Sequence, residues 1–263
     1  IGSVVGMSCM ISATLMTHGV SPLAAVIVTL ACCLLIGVMN GVLVAGCRLP
    51  SFIATLGTMT IARGIAQISN GNYNTDSIGE GAQMFRDFFY YGKFAGIYNT
   101  VWIAVVLWLV FNFFLTRTRT GRHIYAIGSN IEAARLSGVN ILSVTIKAYM
   151  VSSSFLAGTV GLINCAMSGM GAMDSGNMYE MYAVAASVIG GVSTLGGQGL
   201  LFGTVIGASI WAVLQNGLQF AGAPVAIRNI VIGIIVILSV MLDIIVRSGR
   251  RVGHKKTGSV AAA

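Results

Sequence analysis

Charged residues are scarce in this chain of 263 residues: Asp, Glu, Lys and Arg together make up 8%, whereas 56% of the residues are hydrophobic. A soluble domain carries about 25% charged residues, because they cover its surface in water. The shortage excludes a soluble enzyme, a nucleic-acid-binding domain and a disordered tail as descriptions of the whole chain. An integral membrane protein remains, and at about 20 residues per spanning helix the length allows at most about eight or nine spans.

The sequence also lacks the usual signatures of catalytic and metal-binding sites. It contains no HExxH or GxSxG motif, and its five cysteines lie in or beside apolar runs without a CxxC pair, as buried apolar cysteines do. The segment 191–198 has the glycine spacing of a phosphate-binding loop, but the lysine that reaches the phosphates is missing. We interpret it as a tight turn between membrane segments, and we predict no catalytic residue, no metal site and no cofactor bound by this chain.

Eight apolar runs, separated by polar segments, predict an all-α, polytopic helical membrane protein. They form a single membrane domain over residues 1–246, which a basic tail follows at 247–263. Run six is rich in glycine and other small residues, so it is either a half-helix, a broken helix or a full span. The runs cover residues 1–17, 22–46, 51–69, 100–116, 143–167, 179–195, 200–221 and 226–246.

The basic residues are concentrated in two places, and their positions predict the orientation of the runs. The loop 117–142 carries four arginines, and the tail 247–263 carries five basic residues. Lys and Arg at the edges of membrane spans mark the cytoplasmic side, which explains the net charge of +8 better than nucleic-acid binding does. Both segments are predicted to be cytoplasmic, which leaves the polar segment 70–99 outside. Its aromatic stretch 85–91 suits a membrane interface, and the whole topology requires run six to cross.

Four polar residues inside the apolar runs are candidates to line a translocation pathway: Asn40, Arg63, Gln67 and Asn164. Arg63 lies about twelve residues into run three, and a buried arginine costs several kcal/mol unless it is paired or hydrated. Two interpretations stay open for Arg63. It faces a water-filled pathway, or its guanidinium bonds to helix-end carbonyls or extends toward the outer face. For Asn164, a hydrogen bond between helices is favoured over contact with a solute.

Two pairs of glycines have the spacing that lets membrane helices approach each other closely. They are Gly37 with Gly41 and Gly203 with Gly207. Glycine makes up 34 of the 263 residues, so such pairs also arise by chance. Both pairs are therefore candidates for a close helix contact, and neither is predicted on its spacing alone.

The cytoplasmic loop contains the pattern of a short helix. Asn130 is a good N-cap residue, Glu132 falls in the first turn, where the helix dipole favours an acid, and Gly138 can end the helix. A short amphipathic helix outside the membrane has the form of a docking element, with apolar residues such as Leu136 available to a partner. The alternative is a linker helix that rests on the bilayer surface.

The loop string from Gly121 to Val139 resembles the cytoplasmic coupling loop of bacterial ABC importer permeases, and it is similar in detail to the ribose-type branch of sugar permeases. Further matching strings at 49–57, 62–64 and 185–199 extend the resemblance over nearly the whole chain. The resemblance implies that the ATPase subunit is coupled through a set of loop residues. These are Gly121, Arg122, Tyr125, Gly128, Asn130, Glu132, Ala133, Ala134, Leu136 and Gly138.

The resemblance implies a type II-like permease that moves a small sugar, of the ribose, xylose or galactose kind, into a bacterial cell across the inner membrane. The implied partners are ABC ATPase subunits that hold ATP and Mg, an extracytoplasmic solute-binding protein, and a second permease copy or a related chain, with no nucleic acid. Family members have about ten membrane segments, two or more of them before the point where Ile1 stands, so this chain is expected to be truncated at its N-terminus. Tyr182 stands where an Asp is common in the family.

Two other classes of membrane protein compete with this interpretation. An ion- or proton-coupled carrier would usually need a carboxylate within the membrane or a broken-helix carbonyl site, and no apolar run has an acid at its centre. This observation weakens the carrier hypothesis without removing it. A membrane scaffold or channel is compatible with the composition, but it leaves the coupling-loop match unexplained.

Overall fold

Helices make up nearly all the regular structure in the computed structural model, which describes residues 1–194 and 196–258. Wider π-helical turns follow α2 at Val42–Gly46 and α4 at Asp87–Tyr91, and another joins α8 to α9 at Met150–Ala157. Two short strands, β1 (Lys93–Phe94) and β2 (Ile97–Tyr98), pair antiparallel as a hairpin. The α-helices are α1 (Gly2–Thr17), α2 (Pro22–Gly41), α3 (Ser51–Ile68), α4 (Gln83–Arg86), α5 (Asn99–Arg117), α6 (Arg119–Ser129), α7 (Ile131–Leu136), α8 (Ile141–Tyr149), α9 (Gly158–Ser168), α10 (Tyr179–Ile189), α11 (Leu201–Phe220) and α12 (Val225–Gly258).

Each of the eight apolar runs coincides with a helix, so the predicted helical membrane protein is confirmed. Among the described residues, four helical segments are long and apolar enough to cross a membrane: Pro22–Gly46, Asn99–Arg117, Ile141–Ser168 and Leu201–Phe220. Shorter apolar helices cover Gly2–Thr17, Tyr179–Ile189 and Val225–Met241.

Run six forms a short helix, as its content of small residues indicates. Its helix α10 has 11 residues, which at 1.5 Å per residue reach about 16 Å. The hydrocarbon core of a bilayer is about 30 Å thick, so α10 alone does not span it. The side of the membrane that the C-terminal tail occupies therefore stays a prediction.

The described chain forms two compact units, of which the first comprises residues 1–127 and 131–179. Its centre is α1, which is buried on every side because α2, α3 and α9 pack around it. Small residues make this possible: a Cβ atom at Gly161 of α9 would lie 2.5 Å from the Cβ of Ser8. The Ser8 hydroxyl donates a 2.7 Å hydrogen bond to the carbonyl of Gly158, so α1 and α9 are in backbone contact.

The first candidate glycine pair lies where α2 crosses α8 and the π-helical turn after it. A Cβ atom at Gly37 would lie 2.8 Å from the Cα of Met150, and one at Gly41 would lie 2.5 Å from the Cα of Ile146. Real Cβ atoms essentially never approach other atoms so closely, so this crossing requires glycine. This candidate pair is therefore a close helix contact and not a chance match.

The second unit comprises residues 128–130 and the described residues from 180 onward. Here the second glycine pair, Gly203 and Gly207 of α11, lies against the end of α10. A Cβ atom at Gly207 would collide with the carbonyl oxygen of Ala186 in α10, and one at Gly203 with that of Gly190, just beyond α10. The core around this crossing contains Trp211, whose ring lies 5.6 Å from that of Tyr182. This candidate pair is therefore also a close helix contact.

Candidate functional site

The loop 117–142 begins with a tight turn between α5 and α6 that depends on Thr118 and Gly121. The Thr118 hydroxyl donates to the carbonyl of Phe114 (2.6 Å) and accepts from the backbone N–H of Gly121 (3.2 Å), so it caps the start of α6. A Cβ atom at Gly121 would lie 2.5 Å from the carbonyl oxygen of Phe114. The Arg122 guanidinium donates to the carbonyl of Arg117 (3.2 Å) at the end of α5, where the helix dipole favours a cation. Gly121 and Arg122 therefore hold the turn, and the capping role of Thr118 was missed from the sequence.

The short helix predicted after Asn130 is present as α7, and it ends as the sequence indicates. Gly138 has a φ of +79°, its N–H donates to the carbonyl of Arg135 (3.0 Å), and the N–H of Val139 donates to the carbonyl of Ala134 (3.1 Å). This pair of hydrogen bonds is a Schellman motif, which places a left-handed residue just beyond the helix. Glycine at 138 therefore determines where α7 stops.

Most of the α7 surface is exposed. Ala134 is buried, whereas Leu136 is 88% and Ile131 is 46% exposed. Glu132 and Arg135 form a 3.5 Å ion pair on the exposed side, and such a surface pair contributes only about 0–1 kcal/mol. Apolar side chains next to a weak ion pair are what a partner surface can bury, and this arrangement favours the docking interpretation of α7.

The end of α6 lies in backbone contact with the glycine-rich segment 191–198. A Cβ atom at Gly128 would lie 2.6 Å from the backbone nitrogen of Gly197, and one at Gly197 would lie 2.7 Å from the backbone nitrogen of Ser129. The segment is a turn, as predicted: Gly196 has a φ of +88°, and the N–H of Ser193 donates to the carbonyl of Gln198 (2.9 Å). Leu195 lies outside the described residues.

Sequence reasoning missed this contact between α6 and the turn. It identified both glycine-rich strings, but separately. Gly128 and Gly197 are far apart in the chain, and nothing local to either marks the other as its neighbour. The only sequence signal is that both strings contain glycines that do not have the spacing of glycines at a helix crossing. The contact places Gly128 and Ser129, at the end of α6, against the turn between α10 and α11 within the second unit.

Arg63 is half-buried and bonds to backbone carbonyls, which are those of a loop and not of a helix end; its place in a pathway stays a prediction. Its guanidinium donates to the backbone carbonyls of Met173 (2.9 Å) and Ser175 (3.0 Å). These carbonyls belong to the loop 169–178, between α9 and α10. Gly6 of α1 leaves room for the guanidinium, since a Cβ atom there would lie 2.8 Å from the same nitrogen. Arg63 thus holds the loop through backbone carbonyls. Every residue carries a carbonyl group, so no sequence pattern reveals which ones Arg63 contacts.

Further hydrogen bonds hold the same loop. Asn164 donates from its amide to the Ser175 hydroxyl (3.3 Å), which is a bond from α9 to the loop and not the favoured bond between helices. The N–H of Met173 donates to the side-chain oxygen of Asn74 (2.9 Å), and the N–H of Gly171 donates to the Thr75 hydroxyl (2.7 Å). The loop is therefore tied to α9 and to the segment after α3.

The structure does not bring all four predicted pathway residues together. Arg63 and Asn164 meet at Ser175. Asn40 is 5% exposed, and its side-chain oxygen accepts a 2.7 Å hydrogen bond from the Thr58 hydroxyl between α2 and α3. Gln67 is half-buried near the end of α3. Among the described residues, no group of three or more His, Cys, Asp and Glu side chains is arranged to hold a metal ion.

Comparison with known proteins gives a consistent set of relatives. The family described as "Branched-chain amino acid transport system / permease component" matches residues 1–240. The ribose import permease protein RbsC of Escherichia coli is 36% identical over 244 residues, which cover 92% of this chain and 75% of the relative. The galactose/methyl galactoside import permease protein MglC of Haemophilus influenzae is 34% identical over 263 residues, covering 92% and 76%.

A third relative is similar to the same extent. The D-allose transport system permease protein AlsC of Escherichia coli is 34% identical over 244 residues, covering 92% of this chain and 73% of the relative. No solved structure matches this chain. The family match to residue 240 covers the first seven apolar runs and most of the eighth.

Proposed function

The chain belongs to the family of transport-system permease components, and from this premise we propose that it is the membrane-spanning subunit of an ABC importer that moves a small sugar into the cell. The relatives named above are permeases for ribose, galactose or methyl galactoside, and allose. Their names support a sugar over the branched-chain amino acid of the family description. They also favour an importer subunit over an ion-coupled carrier that acts alone.

One observation carries the mechanism: the contact between Gly128 and Gly197, next to the exposed helix α7. An ATPase subunit that binds ATP and Mg docks on α7, where Leu136, Ala133 and Glu132 are exposed. When ATP closes the ATPase pair, α7 moves with it. The segment from Asn130 back to Gly128 passes that movement to the turn between α10 and α11, because the backbones of Gly128 and Gly197 leave no space between them.

The other loop residues preserve the shape that this transmission needs. Gly121 and Arg122 hold the turn from α5 into α6, and Tyr125 is half-buried along α6. Asn130 stands at the N-cap position of α7, and Gly138 ends the helix. No residue of the loop takes part in catalysis under this proposal, since ATP is hydrolysed on the partner subunit.

We place the contact with the second permease copy on an exposed face of α3. At Gly57 and Gly64 of this helix, an added Cβ would have no described atom within 4 Å apart from its chain neighbours and the backbone of its own helix, and Ile53 and Ile61 beside them are exposed. Membrane helices associate through small residues, since lipid gives them no hydrophobic driving force. Two copies that meet along α3 would enclose a pathway next to Gln67, and the bonds of Arg63 and Asn164 would keep its loop 169–178 in place.

The remaining partners follow from the same proposal. A solute-binding protein delivers the sugar on the external side, where the segment 70–99 and the loop 169–178 lie if the arginine-rich loop 117–142 is cytoplasmic. The permease then stands in a bacterial inner membrane with its C-terminus in the cytoplasm.

The test is uptake by proteoliposomes that contain the full-length chain with its ATPase subunit and the binding protein. Radiolabelled ribose, galactose, allose and xylose are offered with and without internal ATP. We expect ATP-dependent accumulation of one of these sugars, and co-purification of the ATPase with this chain. Accumulation by vesicles that contain only this chain, driven by an ion gradient without ATP, would establish the carrier instead.

A further inference from the structure

The loop 169–178 of the first unit runs along the central helix α1. A Cβ atom at Gly171 would lie 3.0 Å from the Cβ of Ala13, and one at Gly176 would lie 2.9 Å from the Cβ of Val5. Ala13 and Val5 are eight residues apart, which corresponds to about 12 Å along the axis of α1. The loop therefore descends beside α1 and does not stay at the end of the helix.

This descent takes the loop to the middle of the membrane. Met173 packs against a core cluster that contains Val5 of α1 and Cys33 of α2. Cys33 lies eleven residues beyond the first residue of the candidate span Pro22–Gly46, which is about 16 Å along a helix that crosses a hydrocarbon core of about 30 Å. Non-helical backbone at this depth is found only where it is buried in protein or lines a water-filled cavity.

Asp174 is the acid that the loop carries to this depth. It is exposed, and it forms no ion pair with any residue that the structure describes. Arg63 donates to the carbonyls of Met173 and Ser175, the two neighbours of Asp174 in the chain, so the backbone there is held while the carboxylate takes no part. Acids within membrane segments do not face lipid but a water-filled cavity or a charged partner. Since no described cation pairs with Asp174, water is what it faces.

We propose that Asp174 lines the translocation pathway and that its carboxylate accepts hydrogen bonds from neighbouring hydroxyl groups of the transported sugar. This inference rests on the function proposed above, which makes a small sugar the solute. A carboxylate has two oxygens that accept hydrogen bonds, so one side chain can hold two adjacent hydroxyls. Hydrogen bonds to a charged group are also about twice as strong as those between neutral groups.

The surroundings of Asp174 favour a sugar over a metal ion. Asn177 is also exposed, and its N–H donates to the carbonyl of Asp174 (3.1 Å), so both residues belong to one turn of the loop. An amide side chain donates and accepts hydrogen bonds, as the hydroxyls of a sugar require. A metal ion would need further ligands, and within the described part of the chain no group of three or more His, Cys, Asp and Glu side chains could hold one.

Chemical modification tests whether position 174 faces water. The full-length Asp174→Cys variant in proteoliposomes is treated with a charged, membrane-impermeant thiol reagent, and the modified peptide is identified by mass spectrometry. The control is Val105→Cys on α5, a candidate span in which no residue is buried. We expect Asp174→Cys to react at least about tenfold faster than Val105→Cys, because a charged reagent does not enter hydrocarbon. Equal rates would overturn the proposal.

Sugar uptake tests the contact itself. Asp174→Asn removes the charge at nearly constant size, and Asp87→Asn is the matched control, since Asp87 is an exposed acid of the segment 70–99. We expect Asp174→Asn to lower the maximal rate of ATP-dependent uptake about tenfold, which corresponds to roughly 1.4 kcal/mol. The unfolding midpoint and the half-saturating concentration of the binding protein should stay as in the wild type. Asp174→Glu should restore part of the rate, and Asp87→Asn should transport normally.

Three results of the uptake assay would overturn the sugar contact. One is a wild-type rate in Asp174→Asn. Another is an unchanged maximal rate with a higher half-saturating concentration of the binding protein, since Asp174 would then belong to a docking surface. The third is uptake driven by a proton gradient without ATP and lost in Asp174→Asn, which would make Asp174 a proton carrier. A wild type that accumulates none of the sugars would refute the proposed function and its sugar ligand together, whereas rapid modification of Asp174→Cys would still establish a water-filled path.

Discussion

Replacing Gly128 with alanine is the sharpest test of transmission through the loop. Gly128 lies in α6 with an ordinary helical backbone, where alanine is preferred over glycine by about 1 kcal/mol. Local helix stability therefore predicts a harmless or favourable change. The contact predicts the opposite. The added Cβ would lie 2.6 Å from the backbone nitrogen of Gly197, and ordinary contact begins at 3.4 Å, so α6 and the turn must separate by about 0.8 Å.

Forcing a methyl group into such a contact costs about 1–3 kcal/mol. The atoms opposite the added methyl group belong to the backbone of Gly197 and cannot rotate away as a side chain does, so the turn itself must shift. We expect ATP-dependent uptake to fall about tenfold, which corresponds to roughly 1.4 kcal/mol of lost coupling. The ATPase subunit should still co-purify, because α7 is unchanged, and ATP hydrolysis should continue at or above the wild-type rate.

The assay compares sugar uptake with ATP hydrolysis in the same proteoliposomes. Gly217→Ala is the matched control, since Gly217 is also helical, belongs to α11, and has no described atom within 4 Å of an added Cβ. Thermal unfolding of both variants in detergent checks that each is folded. Wild-type uptake by Gly128→Ala, with a normal unfolding midpoint, would refute transmission through this contact. A parallel loss of uptake and of ATPase co-purification would refute it too, because docking would then be the step affected.

Three further predictions follow from single contacts. Arg63→Gln should lower the midpoint of thermal unfolding in detergent, because the carbonyls of Met173 and Ser175 lose a charged donor worth about 1.5–3 kcal/mol. Arg63→Lys should keep part of the stability. Equal midpoints for the wild type and both variants would contradict a stabilising role of these hydrogen bonds. Leu136→Asp should leave the unfolding midpoint unchanged, since the side chain is 88% exposed. It should nevertheless reduce the amount of ATPase subunit that co-purifies in a pull-down. Unchanged capture of the ATPase subunit would argue against docking on α7. Gly138→Ala should destabilise the end of α7 by about 1–2 kcal/mol, because its φ is positive, and amide hydrogen exchange in α7 should speed up correspondingly; Gly138→Asn should have a smaller effect.

The features that sequence reasoning predicted correctly are those whose causes are local or periodic. The end of α7 at Gly138 follows from a cap whose hydrogen bonds stay within six residues. The spacing of Gly37 with Gly41 and of Gly203 with Gly207 marked two candidate crossings, and only the structure distinguishes them from chance pairs. The eight runs became helices because the backbone in a membrane must satisfy its own hydrogen bonds.

The features that it could not predict depend on partners far along the chain. The central position of α1 is one example, because a helix that is apolar or small on every side has no stripe to reveal its neighbours. The contact of Gly128 with Gly197 is another. Arg63 is the clearest case: its partners are the carbonyls of Met173 and Ser175, and any residue at those positions would offer the same oxygen. The sequence indicates that Arg63 needs a partner, but it does not identify that partner.

The abundance of glycine and the scarcity of charge have a common physical origin. Helices in lipid gain little from the hydrophobic effect when they associate, so close packing and hydrogen bonds must hold them together. Close packing requires glycine, as Gly161 against Ser8 illustrates. The hydrogen bonds then fall within short reach of the backbone, as in the bond from Ser8 to the Gly158 carbonyl. A charged side chain is tolerated only where several carbonyls meet it, which is the situation of Arg63. The low charge and high glycine content are therefore what this way of packing helices demands.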